Sequence, residues 1–316
     1  MSQTITQDQI LAYLPHRYEN LLLDQVVSHA DDTCVKGEFS LTVGPDDALG
    51  RHLFFRHHTE EEQVLIGATS VEILALGSLV CTGKLTETQL AIFTGISQFQ
   101  KHQHLPLSQL ISGQSEKVAQ KAGFLSYRGA LYRQVDTHPA VTAQVKAFVT
   151  DTSASQSEQE SPKMGTAPPS GSATPIQFKR PSKKAPMIVA DGLIESSDTE
   201  AWVSYTYPSN HPLIKGHFPG NPVMMGIMQW MAIEDAVLAH CQMKQGAFSV
   251  STNAEIVKSD GELVAEVKGA QLQGYINDDT YFDSAEIVAL KRIVFRRMIV
   301  PGEEIFIHLT NCQIHS

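Results

Sequence analysis

Lys215-Gly-His-Phe-Pro-Gly-Asn-Pro-Val-Met-Met-Gly-Ile-Met-Gln-Trp-Met231 reads as a tight loop that delivers one histidine, His217, to the start of a helix. Pro219, Gly220 and Pro222 suit neither a helix interior nor a central strand, so they fix a turn. From Gly226 to His240 the residues are mostly Met, Ile, Ala, Val, Leu and Trp, which predicts a largely buried helix over 226–240. A histidine held rigidly beside a helix N-terminus suits a general base next to an oxyanion site. A turn histidine satisfied by a backbone carbonyl fits the same residues, and the loop alone leaves both readings open.

Working outward, 201–207 alternates like a strand leading into the loop, and 247–257, 263–275, 285–295 and 305–309 supply further strands. A hairpin turn is predicted at 277–283. In the first half of the chain, 5–14 has helical spacing up to Pro15, and 66–81 is an apolar helix. Strands are predicted over 34–41, 89–99, 123–134 and 140–149. Residues 152–185 are dominated by Ser, Pro, Gly, Gln, Thr and Lys and read as a flexible, solvated linker, whose basic end is Lys179, Arg180, Lys183 and Lys184. Two domains follow, 1–151 and 186–316, each large enough for its own core.

The net charge of -10, with no globular stretch dominated by basic residues, argues against nucleic acid as a partner. The first residues lack the charged and apolar regions of a signal peptide, and no apolar run reaches membrane-spanning length. Cys34, Cys81, Cys241 and Cys312 show neither metal spacing nor a disulfide framework, which fits a reduced cytoplasmic protein with no metal and no cofactor. Cys81 and Cys241 fall at predicted helix ends and read as small core residues.

The stretch from Gly216 to Gly226 resembles the active-site loop of the hot-dog fold 3-hydroxyacyl-ACP dehydratases, G-H-F-P-G-x-P-x-M-P-G. Residues 15–26 resemble that family's opening segment, in which His16 and Arg17 read as structural or surface residues. Residues 294–305 resemble its late F-x-R-P-V-x-P-G-D-x-L segment. The resemblance implies an α+β fold, a curved antiparallel sheet wrapped around a central helix. It also implies a carboxylate five residues after the last loop glycine, and here that position is Met231.

A second copy of the motif explains the gap. Phe54-Phe-Arg-His-His58 matches the family's F-F-Q-G-H, and the interval from His58 to Gly67 equals that from His217 to Gly226. Five residues past Gly67 stands Glu72, flanked by Val71 and Ile73 in an apolar helix where an unpaired carboxylate is costly. The chain therefore reads as a double hot-dog, a fused pseudo-dimer. In this family each site takes its histidine from one partner and its acid from the other. The resemblance thus implies one composite site, His217 with Glu72, and one vestigial site of His58, Gly67 and Met231. Asp235, one turn after Met231, sits too far along the helix to replace the acid.

By the same resemblance, His217 removes the C2 proton of a 3-hydroxyacyl thioester, with its other ring nitrogen on the Val223 carbonyl. Glu72 protonates the leaving hydroxyl, and the Gly226 amide polarises the thioester carbonyl. Phe218, Met224 and Met228 are expected along the acyl chain. The implied partner is an acyl carrier protein, with Lys215, Lys291, Arg292, Arg296 and Arg297 as docking candidates, and a further homo-oligomer of pseudo-dimers is left open. Alternatives within the fold are a thioesterase or a dehydratase that also isomerises its product. Outside catalysis, the alternative is an acyl-chain or acyl-carrier binding module, or a regulatory pseudoenzyme.

Overall fold

The computed structural model describes residues 2–30, 35–86, 88–134, 136–151, 162–218, 220 and 222–315. Cys34, Pro219 and positions 152–161 of the expected linker lie outside them.

The first half runs β1 (Ser2–Thr6), α1 (Gln7–Ile10), β2 (Gln25–Ala30), β3 (Val35–Leu41), β4 (Phe55–His57), β5 (Gln63–Leu65) and α2 (Gly67–Thr82), then β6 (Gln89–Lys101), β7 (Ile111–Lys121), β8 (Phe124–Arg133) and β9 (Val141–Asp151). The second runs β10 (Thr174–Pro175), β11 (Gly192–Ser196), β12 (Ala201–Thr206) and α3 (Gly226–His240), then β13 (Gly246–Lys258), β14 (Leu263–Ile276), β15 (Ser284–Phe295) and β16 (Glu304–His315). The helix expected over 5–14 is only α1, because Ile5 turns into the core from β1, which pairs with β2.

Both long helices are apolar on all faces and nearly all their residues are buried, so each needs cover on every side. One fourteen-stranded sheet provides it. The half-sheets join where β6 pairs antiparallel with β15, Ile96 opposite Ile293, and Phe99 meets Trp230 of α3 edge-on at 4.9 Å.

From this joint the spatial order is β6-β9-β8-β7-β3-β2 in one direction and β15-β14-β13-β16-β12-β11 in the other. The two half-sheets are alike in space but not along the chain. The joining strand comes first after the helix in the first half and third in the second. In both halves the connection leaving it crosses to the strand beside the one that precedes the helix. This difference was hidden in the sequence, where both halves read simply as a helix followed by strands.

Residues 162–185 are not the free tether that their composition predicts. Gly165 N–H donates to the Gly261 carbonyl, Ile176 N–H to that of Asp191, and Ser182 N–H to that of Asp283. Three of the four basic residues at its end, Arg180, Lys183 and Lys184, are engaged within the chain. Arg180 pairs with Glu60 and lies over the Phe282 ring at 4.1 Å, and Lys184 Nζ donates to the His52 carbonyl. Lys183, buried, pairs with Asp235 of α3 at 2.6 Å. The 3-10 turns Tyr18–Asn20 and Ala185–Met187 stand at the same interval before β2 and β11, so 183–191 is the second half's copy of 16–24. That copy begins before residue 186, since the Ser182 N–H is bonded to the Asp283 carbonyl just ahead of β15 and the Lys183 side chain is tied to α3.

Candidate active site

The loop carrying His217 is pinned from several directions. The His217 N–H donates to the Leu213 carbonyl, Met224 N–H to that of Ile299, and Arg17 N–H of the first half to that of Gly216. Asn20 Nδ2 donates to the Leu213 carbonyl. Phe218 adopts φ 52°, a left-handed conformation that costs a non-glycine residue free energy and is tolerated where the surroundings over-determine it. His217 Nδ1 lies 2.9 Å from the Val223 carbonyl. A carbonyl can only accept, so Nδ1 carries the proton and Nε2 is left with the lone pair. Burial is the main influence on this imidazole and lowers its pKa to about 4, against a smaller rise from the Val223 bond. It is a neutral base at pH 7.

Glu72 of α2 lines the same cavity, of about 270 Å³, together with His16, Phe218, Val223, Met224 and Gly226. The first half thus brings a carboxyl, and the second an imidazole, to one cavity. Burial pushes the Glu72 carboxyl up to about 7, so at neutral pH much of it carries the proton a general acid needs. Gly226 opens α3 beside the Phe295 ring, where an added Cβ would lie 3.3 Å from ring carbons. Its missing side chain keeps the helix N-terminus open to the cavity. An imidazole lone pair, a protonated carboxyl and a helix N-terminus around an apolar cleft can remove one proton, deliver another and polarise a carbonyl.

Over 147 residues, 45% of this chain, the sequence is 29% identical to the 3-hydroxyacyl-[acyl-carrier-protein] dehydratase FabZ of Psychrobacter arcticus and covers 94% of that protein. It is 34% identical over 100 residues to the FabZ of Macrococcus caseolyticus, covering 64% of it. Among solved structures, the dehydratase domain of RzxB from Pseudomonas fluorescens superposes with a TM-score of 0.45 at 12% identity, covering 88% of this chain and 98% of that one. No protein-family profile matches the chain. The fold is that of the hot-dog 3-hydroxyacyl-ACP dehydratases.

Within this dehydratase-type fold, not every expected residue reaches the cavity. Met228 is wholly buried in the core and is absent from the lining, because it follows Gly226 on a helix face turned inward; Gln229 lines the cavity instead. Ala75, Leu76, Leu79, Phe93 and Phe148 from the first half form much of the apolar wall. Arg296 and Arg297 also line it, ion-paired to Glu266 and Glu262, whereas Lys215, Lys291 and Arg292 are exposed. The largest omission of the sequence reading is His16, assigned there to structure or surface. It is buried, its Nε2 is 3.7 Å from Glu72 Oε1, and its ring centroid is 5.4 Å from that of His217. The one available signal was its own motif, since a polar residue between Pro15 and the apolar run 21–23 has little reason to be buried without a partner.

At the other end of the seam the arrangement differs. His58 lies in the turn of the β4–β5 hairpin, its N–H donating to the Glu62 carbonyl, and lines a cavity of about 490 Å³ with Arg56, Lys101, His104, Tyr275 and Glu286. Met231 and Gly67 are not among the lining residues. Instead Glu286 of β15 lies against the α2 N-terminus, so close that an added Cβ on Gly67 would sit 2.7 Å from its Oε1. Glu286 binds Arg56 at 2.8 Å and also pairs with Lys101, whose Nζ lies 3.0 Å from His104 Nδ1. Burial raises the Glu286 carboxyl, but Lys101 and Arg56 outweigh it and hold the group far below the usual range. Asp235 cannot act as a substitute acid here, since it is committed to Lys183 and to the Val189 N–H at 2.7 Å. Glu234, also on α3, accepts from Trp230 Nε1 and the Ile287 N–H, both at 2.9 Å.

Proposed function

We propose that the chain eliminates water from a 3-hydroxyacyl thioester carried on an acyl carrier protein, in fatty-acid or polyketide-type biosynthesis, at one composite site. The observation that carries this reading is a base and a protonatable acid, supplied by different halves, facing one apolar cavity. His217 Nε2 takes the C2 proton while the thioester carbonyl faces the N-terminus of α3 at Gly226. The C2=C3 bond forms as the C3–O bond breaks, and the Glu72 O–H protonates the departing hydroxyl to give water. The proton held on His217 then returns to the Glu72 carboxylate, and the site is reset. One oxyanion donor typically contributes about 3 kcal/mol to such a barrier.

The acyl chain runs past Phe218, Val223 and Met224 toward the apolar wall of the first half. The carrier protein, an acidic partner, docks near the exposed Lys215 and the basic crossover that follows β15. No helix among the described residues is long and apolar enough to cross a membrane. The buried thiols Cys81, Cys241 and Cys312 suit a reducing cytoplasm.

The test is turnover of a 3-hydroxyacyl thioester by wild type, His217→Ala, Glu72→Gln and His58→Ala. Loss in the first two variants with retention in the third supports the composite site. An inert wild type that still binds the acyl carrier would replace the enzyme reading with that of a binding module, and release of free thiol would replace it with a thioesterase.

A further inference from the structure

His16 is a buried polar residue of the cavity with no firm partner. Its Nδ1 is buried and has no hydrogen-bond partner, and its Nε2 has only the 3.7 Å approach to Glu72, too long for a hydrogen bond. Burying a polar group without partners is costly, so such a side chain suits a place where a partner arrives from outside. The second half shows what the same position looks like when it is only structural. Its copy of His16 is Lys183, and Lys183 has closed onto Asp235 at 2.6 Å. His16 and Glu72 instead stop 3.7 Å apart, close enough that one oxygen atom seated beside the pair can hydrogen-bond to both. The His217 and Phe218 rings lie 5.4 Å and 5.6 Å from the His16 ring, so that position lies within reach of the proposed chemistry.

We propose that His16 is a third catalytic residue, which together with Glu72 grips the oxygen leaving C3 of the substrate. This rests on the dehydration reading above and adds the residue that receives the leaving group. Glu72 transfers its proton to the hydroxyl as the C3–O bond breaks. His16, neutral throughout, donates a hydrogen bond from Nε2 to the same oxygen and holds the water formed away from C3. No proton leaves His16, so the reaction balances as before.

A leaving group that needs no proton separates this role from a structural one. Wild type, His16→Leu, His16→Gln, Glu72→Gln and His217→Ala are given two short thioesters, one with a 3-hydroxyl and one with a 3-chloro substituent. The readout is the ratio of the two elimination rates, which does not depend on how much of a variant is folded. His16→Leu is expected to lose about 10- to 100-fold on the hydroxyl substrate and to stay near wild type on the chloride. His16→Gln, which keeps an N–H donor, recovers part of the loss. Glu72→Gln shows the same pattern more strongly, and His217→Ala loses both substrates. A ratio unchanged in His16→Leu, whether both rates fall together or neither does, overturns the role of His16 while leaving the dehydratase reading intact. A wild type that eliminates neither group overturns the dehydratase reading, and the role of His16 with it.

Discussion

The two ends of the seam share a plan and have opposite chemistry. At the His217 end the polar groups are left short of partners. The imidazole keeps a free lone pair, the Glu72 carboxyl has its proton because burial alone acts on it, and His16 touches neither firmly. At the His58 end the groups have been matched. Arg56 and Lys101 share the Glu286 carboxylate, and Lys183 is paired with Asp235 of α3. The comparison separates what catalysis needs from what stability needs. Reactivity resides in groups whose charge is uncompensated, and a site that loses its chemistry is free to compensate them.

The strongest way to break the comparison is to remove His217 or Glu72. His217→Ala and Glu72→Gln should each lower kcat/KM for dehydration by about 100- to 10,000-fold. Parity with wild type in either would dissolve the distinction between the two ends. Next in size, Glu286→Gln should leave two buried cations unmatched and cost about 3–5 kcal/mol of stability, read by denaturant unfolding, with turnover of the folded enzyme preserved. If turnover vanishes while folding holds, the His58 end is not retired.

The acid–base pair predicts a pH profile as well. The base must be neutral and the acid protonated, so kcat/KM should rise through about pH 4 and fall through about pH 7. The same shift has a consequence for stability. The folded state binds the Glu72 proton more tightly than the unfolded chain, whose value lies near 4.5, so this contribution is present below 4.5 and is lost as pH rises through 7. Glu72→Gln should therefore be more stable than wild type at pH 8, by up to about 3 kcal/mol in denaturant titration. The smallest expected effect sharpens the contrast: His58→Ala should change kcat/KM by less than about threefold, within the range of substitutions outside a reacting site.

Much of this was legible because the decisive signals are short and local. The loop of His217 carries its own turn residues, and the register from Gly67 to Glu72 survives as spacing even where the residues around His58 have changed. Helix α3 could be bounded by Gly226 alone. What stayed hidden depends on contacts between residues far apart. His16 reaches the site only because Arg17 is tied to Gly216 of the other half. Glu286 sits in an apolar strand and acquires its role from Arg56 and Lys101. Residues 162–185 have the composition of a tether, yet their backbone groups find fixed partners on the second half, which composition cannot report.

The pairing of β6 with β15 also imposes a timetable on synthesis. The first half is made before Ser284–Phe295 leaves the ribosome, and for that interval Gln89–Lys101 presents a long open edge to the cell. In the second half the joining strand is third after the helix, so the wait includes two further strands. The edge that β15 later covers, Gly95 to Gln100, is until then a template for wrong partners, including the same edge on a neighbouring nascent chain. The joint that brings the two halves together is thus also a place where this chain is exposed to misassembly while it is being made.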